Sequence, residues 1–440
     1  MTGPQRTPPP SARIDRGFLK AFRSLRRRNY RLFWFGQMIS MIGMWAGEVA
    51  LAWLVLSLTD SPAILGLSVT IRFLPSTVLC PFGGILADRF AKRSLLMVTQ
   101  SLQLLLALAL AVSASTGLIS ITVVFILAAL RGVLDALDVP ARQAFVVEMV
   151  GTQDVGNAVA LNSLQFNVAR IAGPVVGAAL ITVLGIASSF YLNAATFLVV
   201  VCFLFAIKPS QLNLAPQASK APVVRQLRDV FSYCYRTPDI IVIFLLVSAI
   251  GTFGYNFMTI LPLLARYVLD SGPTGLGALT SSLGVGSMIA AVWMAYRGVP
   301  TRRLMLSASV VFAVLLVAMG LSPWQWLTML ILVGLGLSAI LFITTANTRL
   351  QLLAPGELRG RVMGVYTWLF MGTAPLGALI VGWLAEWTGV QPMVLQTAGV
   401  YAVLVAGALW YARKNRTRLV KGLSGTGASA AEPPVDEKAA

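Results

Sequence analysis

Seven ionisable side chains interrupt runs of sequence that are otherwise apolar, and any chemistry must be sought there. Arg131, Asp135, Asp138 and Arg142 recur at i, i+4, i+7 and i+11. In a helix that spacing puts them along one face, with opposite charges one turn apart. Glu48 and Arg72 stand at equal distances from a turn near Asp60, so in an antiparallel hairpin they share one depth and can pair. Arg170 lies beside Asn167 and one turn before Pro174. A charge deep in hydrocarbon costs at least ~2.5–3.5 kcal/mol, so each needs a partner, a water path or a function. The carboxylates offer one piece of chemistry, taking up and releasing a proton. A nearby arginine and desolvation pull a carboxylate's proton affinity in opposite directions. The chain has no histidine, so a proton relay must use such acids. Glu48 and Asp135 are the carboxylates expected near mid-span, paired with Arg72 and Arg131 respectively. Asp135 ranks first as the proton site. Glu48 is second, and can instead be a permanent tie between its two helices or a contact for a cationic substrate. Asp138 and Arg142, nearer the end of their span, read as structural. No metal cluster, nucleophile–base set or phosphate-binding loop is recognisable, and no cofactor or metal is expected.

Positioning these groups requires helices that cross a bilayer, for which ~20 apolar residues match a ~30 Å core. Of 440 residues, 57% are hydrophobic and 11% charged. Apolar spans fall at 32–58, 63–87, 95–117, 120–140, 157–183, 186–207, 239–265, 275–296, 304–322, 325–348, 361–385 and 390–412. The expected fold class is an all-α membrane protein with twelve transmembrane helices. Residues 1–31 form a basic N-terminal segment in which Phe18, Phe22 and Leu25 can make an amphipathic surface helix. A first six-helix unit covers 32–207, a central loop 208–238 and a second six-helix unit 239–412. The tail, 413–440, is rich in Gly, Ser, Ala and Pro, a composition that favours disorder.

Twelve crossings leave both termini on one side. Of 34 Lys and Arg residues, only Arg72, Arg131 and Arg170 fall inside spans away from their ends and only Arg266 at the opposite end. Positive-inside bias therefore makes the termini cytoplasmic. The net charge of +18 flanks apolar spans and forms no solvated basic face, so the expected partner is a lipid bilayer and not nucleic acid. Cys80 and Cys202 lie in apolar spans and Cys234 in the basic loop, which argues against a disulfide framework. The polar, basic residues before the first apolar run argue against a cleaved leader.

Between the second and third spans runs Gly83-Gly84-Ile85-Leu86-Ala87-Asp88-Arg89-Phe90-Ala91-Lys92-Arg93. An acid there can cap the N-terminus of a neighbouring helix while the bases hold the membrane interface. The stretch resembles the signature loop of the major facilitator superfamily: Gly84, Leu86, Asp88, Arg89, Lys92 and Arg93 match, and Ala91 replaces a glycine. The halves also echo each other. Asp154-Val155-Gly156-Asn157 leads into a helix with Gly173-Pro174, and Glu357-Leu358-Arg359-Gly360 into one with Ala374-Pro375. The second copy of the signature loop keeps Arg297, Arg302 and Arg303 but has Tyr296 near the acid's place. Gly173, Pro174 and Gly177 resemble the superfamily's antiporter motif, with Ala169 and Ala178 in glycine positions; close helix packing explains the same residues. The blocks Val49–Leu56, Asp138–Phe145, Gly156–Pro174, Leu261–Arg266 and Arg359–Gly364 resemble the branch of siderophore exporters and drug:proton antiporters that includes the bacterial enterobactin exporter.

The resemblance implies two pseudo-symmetric six-helix bundles and a secondary active transporter of the bacterial inner membrane. It would be a monomeric, proton-coupled exporter of a small amphipathic metabolite, siderophore or drug, working by alternating access. Asp88 would then cap the eleventh helix near Arg361. Arg131 would lie where the superfamily carries a helix-4 arginine. The second half has no acid deep in any span, so its cavity groups are expected to be uncharged: Tyr255, Asn256, Thr259, Asn347, Tyr366 and Trp368. A lysophospholipid or lipid flippase, or a non-transporting sensor or scaffold on this fold, fits the same pattern. A membrane enzyme does not.

Overall fold

The computed structural model describes residues 22–213, 233–235, 237–297 and 300–414, without the side chains of 80–88, 297, 356 and 357. The first half forms α1 (Arg28–Thr59), α2 (Pro62–Arg89), α3 (Lys92–Ser115), α4 (Ile121–Val150), α5 (Val155–Leu184) and α6 (Ile186–Ala206). The second half opens with α7, which is split into α7a (Pro238–Ala249) and α7b (Phe257–Tyr267). It continues with α8 (Gly272–Arg297), α9 (Arg302–Gly320), α10 (Gln325–Leu353), α11 (Gly356–Thr388) and α12 (Val390–Lys414).

Local sequence sets the ends. Ser61 and Thr301 accept from the backbone N–H three residues on, at 3.3 and 3.1 Å, and Pro62 and Pro238 occupy first-turn positions where no N–H is needed. Gly185 and Gly389 end α5 and α11 at φ of 83° and 86°, a left-handed setting that favours glycine and lets the next helix start at once. Eleven helical spans, with α7 counted whole, are long and apolar enough to cross a membrane. The exception is α4, whose length is 30 residues but whose middle is crowded by the four charges noted above. It nonetheless packs against α2 and α3 like its neighbours.

Each half repeats one packing scheme. Helix α1 packs on α5 and α6, α2 on α4, and α3 on α4 and α6. Six helices later, α7 packs on α11 and α12, α8 on α10, and α9 on α10 and α12. The halves meet along α2–α11 and α5–α8, two contacts exchanged by the same pseudo-twofold. Small residues permit the approach: a Cβ on Gly382 of α11 would lie 2.8 Å from the Pro62 carbonyl and 2.9 Å from the Gly66 Cα of α2. The symmetry extends to capping. Arg93 at the start of α3 donates to the Leu204 and Phe205 carbonyls that end α6. Arg302 at the start of α9 donates to the Ala412 carbonyl near the end of α12. Large apolar side chains such as Val183, Phe205, Trp326 and Trp387 are exposed, as a lipid-facing surface requires.

Three sequence expectations change. Residues Arg23–Arg26 form a single 3₁₀ turn where an amphipathic surface helix was expected, and Phe18 lies outside the described residues. The cause is Asp154: Arg23 and Arg27 pair with its carboxylate at 3.1 and 3.3 Å, and the Ser24 hydroxyl donates to its carbonyl. That draws Phe22 and Leu25 onto the apolar cluster around Tyr30, Phe33 and Trp34. Cys234, expected within the basic central loop, is buried, and the neighbouring Tyr233 hydroxyl donates to the Leu353 carbonyl at 2.8 Å.

The third change is in α7, expected as one continuous span. It opens into a π turn over Ile250–Gly254 and then leaves helical geometry at Tyr255 and Asn256. The sequence Gly251-Thr252-Phe253-Gly254 is a poor helix former. Asn256 Nδ2 donates to the Thr252 and Gly251 carbonyls at 2.7 and 3.3 Å, replacing part of the lost ladder. Irregular backbone at membrane depth is tolerated where it lines a cavity, and this one does.

Candidate functional site

Two cavities of about 260 Å³ each lie between the bundles. The first extends toward the α1–α2 turn and is lined by Trp45, Glu48, Arg72, Arg170, Asn256 and Thr259 among others. The second extends toward the end that carries the chain termini and is lined by Ser76, Asp135, Pro140, Gly251, Phe370 and Met371 among others. Phe73, Tyr255 and Ala374 belong to both, so they form the wall between them. One aromatic comes from α2 and the other from the break in α7.

Glu48 and Arg72 line the first cavity and Asp135 the second, Arg131 lies against Glu48, and the pairing of these four charges is crossed relative to the sequence expectation. Arg72 Nη1 donates to Asp135 Oδ2 at 2.5 Å, while Arg131 Nη2 lies 3.1 Å from Glu48 Oε1. The expected Glu48–Arg72 pair survives only as a looser contact of 3.6 Å. Asp135 is paired across helices and not with Arg131 one turn before it. The reason is Gly132: lacking a side chain, it lets the α2 backbone at Arg72 and the ring of Pro75 press onto α4, which brings the Arg72 guanidinium to Asp135. Gln103 of α3 adds a hydrogen bond to Asp135 at 3.3 Å. Arg72 is buried, and its guanidinium also lies 5.1 Å from the centroid of the Phe73 ring. Ion pairing is thereby tied mechanically to the aromatic wall. Because Glu48 is held by two arginines, the role of contacting a cationic substrate finds no free carboxylate there.

Asp138 is fully buried and satisfied. It accepts from Thr99 and Gln100 at 2.8 and 2.7 Å and pairs with Arg142, which fits the structural reading. Gly173 and Gly177 press on α1 around Ile42, Trp45 and Ala46, while the Pro174 carbonyl meets Gly277 of α8. The helix-5 motif therefore packs α5 between α1 and α8. Of the six uncharged cavity candidates, Tyr255, Asn256 and Thr259 reach the first cavity. Asn347, Tyr366 and Trp368 are not among the lining residues of either. Tyr366 stacks on Phe370 with centroids 6.5 Å apart and Asn347 bonds Gln351 at 2.7 Å, while Trp368 is 54% exposed. The sequence reading passed over Trp45, Phe73 and Phe166, whose signal was an aromatic within one turn of a buried charge. In the signature loop, Gly84 and Asp88 lie outside the described side chains, Arg89 is exposed and Arg93 caps α6.

The cross-bundle ion pair and the shorter cross-bundle hydrogen bonds among the described residues lie between mid-span and the α1–α2 turn, while a longer bond, from Thr77 to the Met371 carbonyl at 3.4 Å, lies beside the second cavity. Asp60 pairs with Arg266 at 2.8 Å and accepts from the Tyr267 hydroxyl at 2.9 Å. Glu386 accepts from Ser61 and from the Ala63 N–H at 2.7 and 3.0 Å. Nearer the middle, Thr70 donates to the Pro375 carbonyl, Ser281 to that of Ile171, and Arg170 to the Ser287 hydroxyl.

Two six-helix bundles joined by α2–α11 and α5–α8, with cavities and paired charges at mid-span, define a transporter of the major facilitator fold. The family described as transmembrane secretion effectors matches residues 19–437, and the chain belongs to it. It is 26% identical to the staphyloferrin A transporter of Staphylococcus aureus, over 59% of this chain and 65% of that one. It is 27% identical to the multidrug efflux pump Tap of Mycolicibacterium fortuitum, over 81% and 90%, and 23% identical to the enterobactin exporter EntS of Shigella flexneri, over 86% and 90%. Among solved structures it is similar to a bacterial homologue of the lysosomal transporter Spinster, inward-facing and unoccupied, with a TM-score of 0.70 at 12% identity over 88% of this chain and 96% of that one. The nucleoside transporter NupG gives 0.69 at 13% identity over 87% and 99%.

The latch at Asp60 has a pH dependence of definite sign. The hydrogen bond from Tyr267, and next that from Arg266, hold the Asp60 carboxyl below its ordinary value of 3.8. A lowered carboxylate contributes to closure above that ordinary value and loses its contribution as pH falls through the lowered one. Spin labels on cysteines replacing Leu118 and Leu321, exposed near the ends of α3 and α9 on the latch side, should report one distance from neutral pH to about 5. Broadening should begin only below about 4, whereas Asp60→Asn should broaden the distribution at neutral pH.

Proposed function

We propose that this protein is a proton-coupled exporter of small amphipathic metabolites, siderophores or drugs, acting as a monomer in the bacterial inner membrane with both termini cytoplasmic. The observation that carries this reading is the position of Arg72. It binds Asp135, which lines the second cavity, and contacts Glu48, which lines the first. The cross-bundle ion pair and the shorter cross-bundle hydrogen bonds lie on the Asp60 side, which supports an inward-open arrangement with the outer end latched. In the proposed cycle the substrate-loaded protein, with Asp135 ionised, rocks about α2–α11 and α5–α8 and exposes the first cavity to the outside. Substrate leaves, and a proton from the outside neutralises Asp135, so that Arg72 turns fully to Glu48 and the adjoining Phe73 moves with it. Return to the inward-open arrangement releases the proton through the second cavity, so that protons move inward as substrate moves out. Siderophore and drug export by relatives supports the substrate range.

Asp135→Asn should insert normally and still exchange substrate downhill, but it should fail to build a gradient in energised everted vesicles supplied with a siderophore and drug panel. Accumulation by this variant that collapses with the pH gradient would contradict the assignment. For topology, a cysteine replacing Leu118 should react with an impermeant maleimide in intact cells, and one replacing Tyr235, 82% exposed, should not. The reverse pattern would invert the orientation.

A further inference from the structure

We propose that Arg170 anchors the anionic group of the substrate in the first cavity, so that the preferred cargo is an amphipathic organic anion with a flat or aromatic body. The inference rests on the exporter reading and narrows it. Arg170 is 5% exposed, yet among the described residues no carboxylate pairs with it. Its one hydrogen bond runs from Nη1 to the neutral Ser287 hydroxyl at 3.2 Å, and its Nε is buried without an acceptor. A buried cation without a counter-ion is costly and is retained where something else supplies the charge.

The surroundings say what that is. Trp45, Arg72 and Thr259 also line this cavity, and Trp45 Nε1, Arg72 Nε and Thr259 Oγ1 are likewise buried without partners. Nearly every unanswered polar atom there is a donor. The cavity's carboxylate, Glu48, is already claimed by Arg72 and Arg131. At mid-span Arg72, Arg131 and Arg170 face Glu48 and Asp135, leaving one positive charge in excess. A carboxylate or similar oxyanion would satisfy several of these donors at once, and guanidinium suits such a planar, charge-assisted contact. The walls fit the rest of the ligand: Arg170 lies 5.9 Å from the ring centroid of Trp45 and 5.5 Å from that of Tyr255, beside Phe166 and Phe257. Since Ser287 belongs to α8, the anchor lies on the seam that must open when the bundles rock.

The test compares 2-naphthoate with its neutral isostere 2-naphthamide, by calorimetric titration of the purified full-length chain in detergent. A charge-assisted contact predicts that the unaltered protein binds the carboxylate about tenfold or more tightly than the amide. Arg170→Gln should abolish the preference and Arg170→Lys should keep part of it. Equal binding of the two compounds, binding of neither, or a preference that persists in Arg170→Gln overturns the proposal. The first comparison needs no variant, so a folding defect cannot obscure it. The exporter reading is judged separately: vesicles that accumulate neutral or cationic members of the panel, from a protein with no naphthoate preference, would overturn only the anion assignment.

Discussion

A guanidinium at the middle of an apolar bundle is costly unless its charge is answered, and the architecture around Arg72 follows from that constraint. Its partner Asp135 comes from α4, so α2 and α4 must lie close at this depth, and Gly132 makes the approach possible. Arg131, displaced from the acid one turn away, turns to Glu48 of α1. Three helices are thereby tied by two crossed pairs whose members can be exchanged without exposing any charge to lipid. Removing one member of such a buried set leaves its partner uncompensated, at a cost of about 3–5 kcal/mol. Keeping all four while changing who pairs with whom costs far less, and that difference is what a switch requires.

The second half meets this charged half with shape and hydrogen bonding. Its contribution is the break in α7, which places Tyr255 where both cavities meet, as Phe73 is, and lets Asn256 satisfy the freed carbonyls. The small residues of α11 and α8 hold the two bundles together along narrow seams, so the contact can hinge without dismantling either core. Charge sits on one side and the deformable backbone on the other. The wall between the cavities is where they touch, and Arg170 of α5, stacked near Tyr255, carries the contact to the α5–α8 seam.

Much of this was legible in the sequence. Apolar length found every span, including α4 despite its charges, and the repeated motifs pointed to two halves. Spacing also singled out Glu48, Arg72, Arg131, Asp135 and Arg170. The pairing was not legible, because neighbours one turn apart in sequence compete with neighbours on other helices, and helix separation decides the winner. Gly132, beside Arg131, was the available signal for a close approach. The break in α7 was hidden because Gly251, Gly254 and Asn256 sit in a run whose average hydropathy is that of a continuous span. Asn347, Tyr366 and Trp368 were chosen for polarity within α10 and α11, but polarity does not reveal which side of a helix faces the cavity.

The crossed pairing is the claim on which the account rests, and a double-mutant cycle measures it. Unfolding free energies in mixed micelles would be determined for Arg72→Gln, Arg131→Gln and Asp135→Asn, singly and in the two combinations that contain Asp135→Asn. Contacting residues in one charged network couple by about 0.5–3 kcal/mol. The structure predicts that Arg72 and Asp135 couple more strongly than Arg131 and Asp135, by about a factor of two or more. Coupling of Arg131 to Asp135 that equals or exceeds the Arg72–Asp135 value would contradict the crossed arrangement.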